Sequence, residues 1–170
     1  MKTRDRILDV SLRLFNEDGE ANTTTIDLAN ELDISPGNLY YHFKGKDQII
    51  DELFEQYQVA LGQTLTAPSA QPLHDDKGGV EDNWFYLYVV LEELYQYRFL
   101  YHNMDDLLRR YPKLKRGFRR LVEHKRATLT AIIDNLLEQS VIDLPESQVE
   151  ALIENMPLQL TYWLNFDKLL

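Results

Sequence analysis

Between Thr24 and Lys46 the chain gathers side chains suited to reading a polyanion. Ser35, Asn38, Tyr40 and Tyr41 offer hydrogen bonds, and Gly37 lets backbone approach backbone. A helix N-terminus at Ser35 favours phosphate through its unpaired N–H groups. Local chemistry predicts how these groups are held. Thr24 and Asp27 form a T-x-x-D capping box that begins one short helix. Leu28, Leu32, Ile34 and Leu39 supply apolar packing, and Ala29 is small where a second helix must come close. Asp33 and Ile34 make a tight turn; Ser35 as N-cap and Pro36 at the first helical position start the next helix at once. That is helix–turn–helix spacing, in which the second helix enters the DNA major groove by its N-terminal end. Leu39 and Phe43, at i and i+4, read as core. His42 either joins the recognition surface or packs and caps locally.

The remaining pattern is helical. Ile7, Ser11, Leu14 and Phe15 share a face before Gly19 ends the first helix. A fourth helix is expected from about Lys46 to Leu65, a loop over 66–80, and a central helix from about Val80 to Leu100. A short helix over 104–110 follows, with Asn103 and Asp106 at capping-box spacing. Pro112 opens a long helix to about Gln139, and Pro145 opens a last one that Pro157 should kink. No strand pattern of useful length occurs. The fold class is all-α.

The run Ile34-Ser-Pro-Gly-Asn-Leu-Tyr-Tyr-His-Phe-Lys-Gly-Lys46 resembles the signature of the TetR family of bacterial transcriptional regulators, and the likeness extends from about Thr3 to Leu53. The resemblance implies a helix–turn–helix head over 1–46 and a helical ligand-binding and dimerisation body over 47–170. It implies a homodimeric cytoplasmic repressor on a double-stranded, inverted-repeat operator, released by a small hydrophobic or amphipathic ligand. The alternative is a DNA-binding protein whose body takes a protein partner. Thr24 would contact phosphate at the start of the second helix, and Lys46 would clamp phosphate at the start of the fourth. Ser35, Pro36, Gly37, Asn38, Tyr40, Tyr41 and His42 would form the recognition surface. Asp33 departs from the family, which places glycine with positive φ there; Asp tolerates that region better than most residues. Such chains end in two helices that pair across a dimer, and the stop after Leu169 and Leu170 suggests that one is incomplete.

Composition limits other functions. Acids outnumber Lys plus Arg by 28 to 18 in 170 residues, and the net charge of −10 opposes indiscriminate binding to nucleic acid. The absence of cysteine excludes disulfide scaffolds, thiolate metal sites and a thiol nucleophile. Trp84 to Leu91 is the longest apolar run, far short of the roughly 20 residues that span a bilayer. The start carries no signal-peptide pattern, so no membrane role is expected. Neither a P-loop nor a G-x-S-x-G or Rossmann fingerprint occurs, and no enzyme activity or cofactor is expected. His102 with Asp105 and Asp106 lacks metal-ligand spacing, and Asp75-Asp76 reads as a polar loop.

Two clusters in the body remain. Nine cations between Arg109 and Arg126 face one acid, Glu123. They form a solvated face paired with acidic neighbours, an anion-recognising rim, or an extra DNA contact. The aromatic-rich central helix predicts a cavity bounded by the fourth, central and long helices, with Phe54, Tyr57, Trp84, Tyr88, Leu91 and Tyr95 as its lining.

Overall fold

The helices that begin at Thr25 and Pro36 start where a side chain closes the backbone. The computed structural model describes residues 2–70 and 80–167, excluding the side chains of 67–70, 80–82 and 167. Among them lie α1 (Thr3–Leu14), a π-helical turn (Phe15–Gly19), α2 (Thr25–Glu31), α3 (Pro36–His42), α4 (Lys46–Ala70) and α5 (Val80–Gln96). Then follow α6 (Phe99–His102), α7 (Met104–Arg110), α8 (Pro112–Glu138) and α9 (Glu146–Asp167), with no strand among the described residues. The expectations about Asp75-Asp76 and the terminal leucines fall outside this range.

Two boundaries and one cap differ from the sequence reading. α4 continues into the expected loop as far as Ala70, with Thr66 Oγ1 donating back to the Gly62 carbonyl at 2.8 Å. The expected central helix breaks after Gln96, because the Asn16 side chain takes the Phe99 N–H at 3.0 Å and replaces a helical bond. Asn103 makes no side-chain cap; its would-be partner Asp106 instead receives Arg109 at 2.7 Å and Arg110 at 2.8 Å. As expected, α9 carries Pro157 inside it, and Thr161 Oγ1 donates to the Pro157 carbonyl at 2.7 Å.

The chain divides into two compact units. Unit 1 comprises Met1–Tyr57 and Tyr97–Leu114, and unit 2 comprises Gln58–Gln96 and Lys115–Leu170. The unit holding the helix–turn–helix is therefore larger than residues 1–46. Its buried core joins Ile7 and Phe15 to Leu28, Leu39 and Phe43, then to Ile49, Ile50 and Leu53 of α4. The segment 97–114 completes it: Phe99 meets Phe15 at 5.3 Å between ring centroids, and the hydroxyls of Tyr57 and Tyr101 share a hydrogen bond. In unit 2, Leu61 and Leu65 of α4 are buried, as are Val90 and Leu94 of α5, Leu129 and Ile133 of α8, and Leu160 and Leu164 of α9.

Candidate functional site

The predicted capping box is formed in full. Asp27 N donates to Thr24 Oγ1 at 3.2 Å, while Thr24 N and Oγ1 donate to Asp27 Oδ2 at 2.8 and 2.6 Å. α2 then buries Leu28 and Ala29 against the head core. The chain turns through Asp33, whose φ of 53° is the left-handed value expected there, and Ile34 N closes the turn on the Ala29 carbonyl at 3.0 Å. Ser35 Oγ caps α3 by accepting from Asn38 N at 3.2 Å. Leu39 and Phe43 are buried, which fixes the rotation of α3. Ser35, Pro36, Gly37, Asn38, Tyr40 and Tyr41 consequently share exposure to solvent, and Tyr41 is 77 % exposed. His42 is half-buried, with its ring edge-on to Tyr41 at 5.2 Å.

Lys46 has a different occupation from the one its position suggested. Its ammonium donates to the carbonyls of Glu20 at 2.7 Å and Thr23 at 3.0 Å, and pairs with Glu20 Oε1 at 3.0 Å. An ammonium has three donors, and these acceptors use them all. Arg110 grips the same carboxylate. Burial pushes the Glu20 carboxyl up, but hydrogen bonds from Arg110 and Lys46 outweigh it and hold it below its ordinary value. Next to this cluster, Tyr111 OH donates to Asp47 Oδ1 at 3.0 Å and Lys113 Nζ to Asp51 Oδ2 at 2.9 Å. These bonds latch the α7–α8 junction to the first turns of α4, directly behind the helix–turn–helix.

Unit 2 contains a cavity of about 370 Å³ among α4, α5, α8 and α9. Of the six residues expected to line it, only Trp84 does. Phe54 and Tyr57 belong to the core of unit 1. Tyr88 and Tyr95 are exposed and Leu91 is half-buried, all outside the lining. α5 turns Asn83, Leu87 and Val90 to the cavity at i, i+4 and i+7, with Trp84 and Tyr86 beside them, while Phe85, Tyr88 and Tyr95 are exposed outside the lining. A helix apolar all round carries no signal of which side faces in. Lys125, drawn from the basic run, is in the wall and only 1 % exposed.

Residues 7–53 match the family described as bacterial regulatory proteins, tetR family, and residues 56–169 match that described as bacterial transcriptional repressor. The chain belongs to the TetR family. A crystal structure of a TetR-family transcriptional regulator from Marinobacter aquaeolei VT8 is 39 % identical with a TM-score of 0.87, over 99 % of this chain and 81 % of that one. Among sequence relatives, the HTH-type transcriptional regulator AcrR of Shigella flexneri is 36 % identical over 62 residues, 36 % of this chain and 29 % of that protein. The HTH-type transcriptional repressor KstR2 of Mycolicibacterium smegmatis is 37 % identical over 73 residues, 38 % of this chain and 35 % of the relative. This TetR-family chain thus spans about a third of the length of these two relatives.

Three features of this TetR-family member lay beyond the sequence reading. Lys44 is exposed beside α3, with its ammonium 3.1 Å from the Tyr40 carbonyl and 4.7 Å from the Tyr40 ring centroid. The basic run has no single role: Arg110 and Lys113 latch unit 1, Arg126 faces Glu154 at 3.7 Å, and Lys125 is internal. Leu158, Tyr162 and Phe166 form an exposed apolar stripe on α9 at i, i+4 and i+8. Among the described residues no group of side chains could hold a metal ion, and no helix is long and apolar enough to cross a membrane.

Proposed function

We propose that this chain is a homodimeric repressor that reads an inverted-repeat DNA operator with α3 and is released when a small apolar or amphipathic molecule fills the unit 2 cavity. The observation that carries the reading is the rigid, capped α3, with Ser35, Gly37, Asn38, Tyr40 and Tyr41 exposed over buried Leu39 and Phe43. Hydroxyls and an amide at the N-terminal end of such a helix can reach base edges and phosphates together. Thr24 and His42 flank that surface. Lys46 serves it by tying the turn before α2 to α4, and Lys44 supplies an exposed cation. The α9 stripe is the pairing surface, since a two-fold dimer matches a palindromic site. The small-molecule reading is favoured over a protein partner by the cavity, whose volume lies in the range of ligand sites.

The test is selection of binding sequences from a random DNA pool, followed by titration of the winner against the wild type and Asn38→Ala. An enriched inverted repeat, with base preference altered by the substitution, is the expected outcome. Enrichment of unrelated sequences that depends only on salt would remove the proposal.

A further inference from the structure

The unit 2 cavity is apolar except at a few points, and those points have a common chemistry. Lys125 projects from the middle of α8, between Leu121 and Leu129, and is buried in the wall. Tyr86, from α5, lines the same cavity, and its buried hydroxyl has no hydrogen-bond partner among the described residues. Thr128 is also in the wall, but its hydroxyl is committed to the Leu65 carbonyl at 3.0 Å. Asn83 also lines it, and the remaining surface is mostly hydrocarbon such as Leu87, Val90, Ile133 and Met156.

We infer that this cavity takes an amphipathic carboxylate: a hydrocarbon chain among the leucines and isoleucines, with its carboxylate on the Lys125 ammonium and accepting from the Tyr86 hydroxyl. The assignment rests on the reading of the cavity as the effector site. A buried hydroxyl without an acceptor calls for a ligand that accepts. A lysine ammonium in the same wall favours one that is also anionic, because charge-assisted hydrogen bonds are strong where water is excluded. An amine of the same length would bring a like charge to Lys125. An alcohol would satisfy Tyr86 and leave the ammonium without an ionic partner from the ligand. Burial pulls the Lys125 pKa down to about 8, so the side chain remains mostly charged at neutral pH and an arriving anion favours that form further. The volume suits a chain of medium length.

The experiment uses the full chain with decanoate, decanol and decylamine, each titrated by calorimetry below its micelle concentration. Wild type should bind decanoate about tenfold tighter than decanol, the usual scale of one added ionic contact, and should bind decylamine weakest. Lys125→Met and Lys125→Gln should abolish that preference while binding decanol as well as wild type; circular dichroism checks that each is folded. Tyr86→Phe should weaken decanoate about threefold, as loss of one neutral hydrogen bond does. The inference is overturned if wild type binds none of the three, if it prefers decanol or decylamine, or if folded Lys125 variants keep the decanoate preference. The three-ligand comparison on wild type decides the matter even if both variants misfold. Repeating it with operator DNA separates the two readings. A Lys125-dependent carboxylate preference that leaves operator affinity unchanged removes ligand release and keeps the carboxylate site. Release by neutral compounds, with no carboxylate preference, does the reverse.

Discussion

Arg110 and Glu20 stand ninety positions apart and meet as an ion pair in which the carboxylate is 2 % exposed. A second guanidinium bond, at 3.3 Å, makes the grip two-pronged. Because Lys46 holds the same carboxylate, Glu20 joins the end of α7, the start of α4 and the turn that precedes α2. One buried acid thereby sets the position of the helix–turn–helix against its support.

Replacing that acid should be costly. Glu20→Gln should destabilise the protein by about 1.5–3 kcal/mol, the scale of a hydrogen bond to charge. The sign of its pH dependence follows from a folded pKa below the ordinary carboxylate value of about 4.3. The contribution of Glu20 is complete above about pH 4.3 and is lost as pH falls through the lower folded value. Urea melts of wild type and variant should therefore differ by a constant amount near neutrality and converge in acid.

Gly37 gives a test that separates fold from DNA contact. A methyl group there would meet only Ser35 Oγ, at 3.9 Å, so Gly37→Ala should leave the melting temperature unchanged or raise it. Operator affinity should fall at least about tenfold, because the backbone of α3 can no longer come as close. An unchanged affinity would show that α3 does not approach DNA by this edge.

The two lysines after α3 should behave differently. Lys44→Met should reduce the slope of log affinity against log salt by about 0.9 per head, as loss of a phosphate contact does. Lys46→Met should lower the melting temperature and weaken binding to all sequences with a much smaller change of slope, since its three donors are already used inside the protein. Equal slope changes would place Lys46 on phosphate after all.

The α9 stripe predicts an association phenotype. Tyr162→Asp puts a charge in the centre of Leu158, Tyr162 and Phe166, and light scattering at micromolar concentration should show a dimer for wild type and a monomer for the variant. Operator binding should drop with it, while the helical circular dichroism signal remains. A dimeric Tyr162→Asp would move the pairing surface elsewhere.

Lys125 predicts a pH trend of the same sign as Glu20, but in the alkaline range. Its folded pKa near 8 lies below the unfolded value of about 10.4, so the unfolded chain binds more protons between them. Wild-type stability should rise relative to Lys125→Met from about pH 8 to about pH 10, by up to roughly 3 kcal/mol. A flat difference across that range would mean that the ammonium is not desolvated.

The head was legible because its signals are local. A capping box, a left-handed Asp33, a serine cap and a proline each act within a few residues, and each has the predicted geometry. What failed depended on distant partners. Nothing near Phe99 announces that Asn16 will take its N–H and break the central helix. Nothing near Lys46 announces Glu20, and the α5 aromatics gave no sign of which side would be enclosed. Lys125 was hidden in a run of cations whose other members mostly face water, so its burial had no sequence signal.

Both tryptophans of the chain, Trp84 and Trp163, lie in unit 2. Trp84 is in the cavity wall yet 73 % exposed, whereas the Trp163 indole N–H is buried with no acceptor among the described residues. Indole emission excited at its red edge therefore originates in unit 2 alone, and unit 1 is dark in that channel. A dye on the operator reports DNA binding separately. With no label on the protein, occupancy and DNA release can then be followed in one cuvette at two wavelengths, and the order in which they change can be timed.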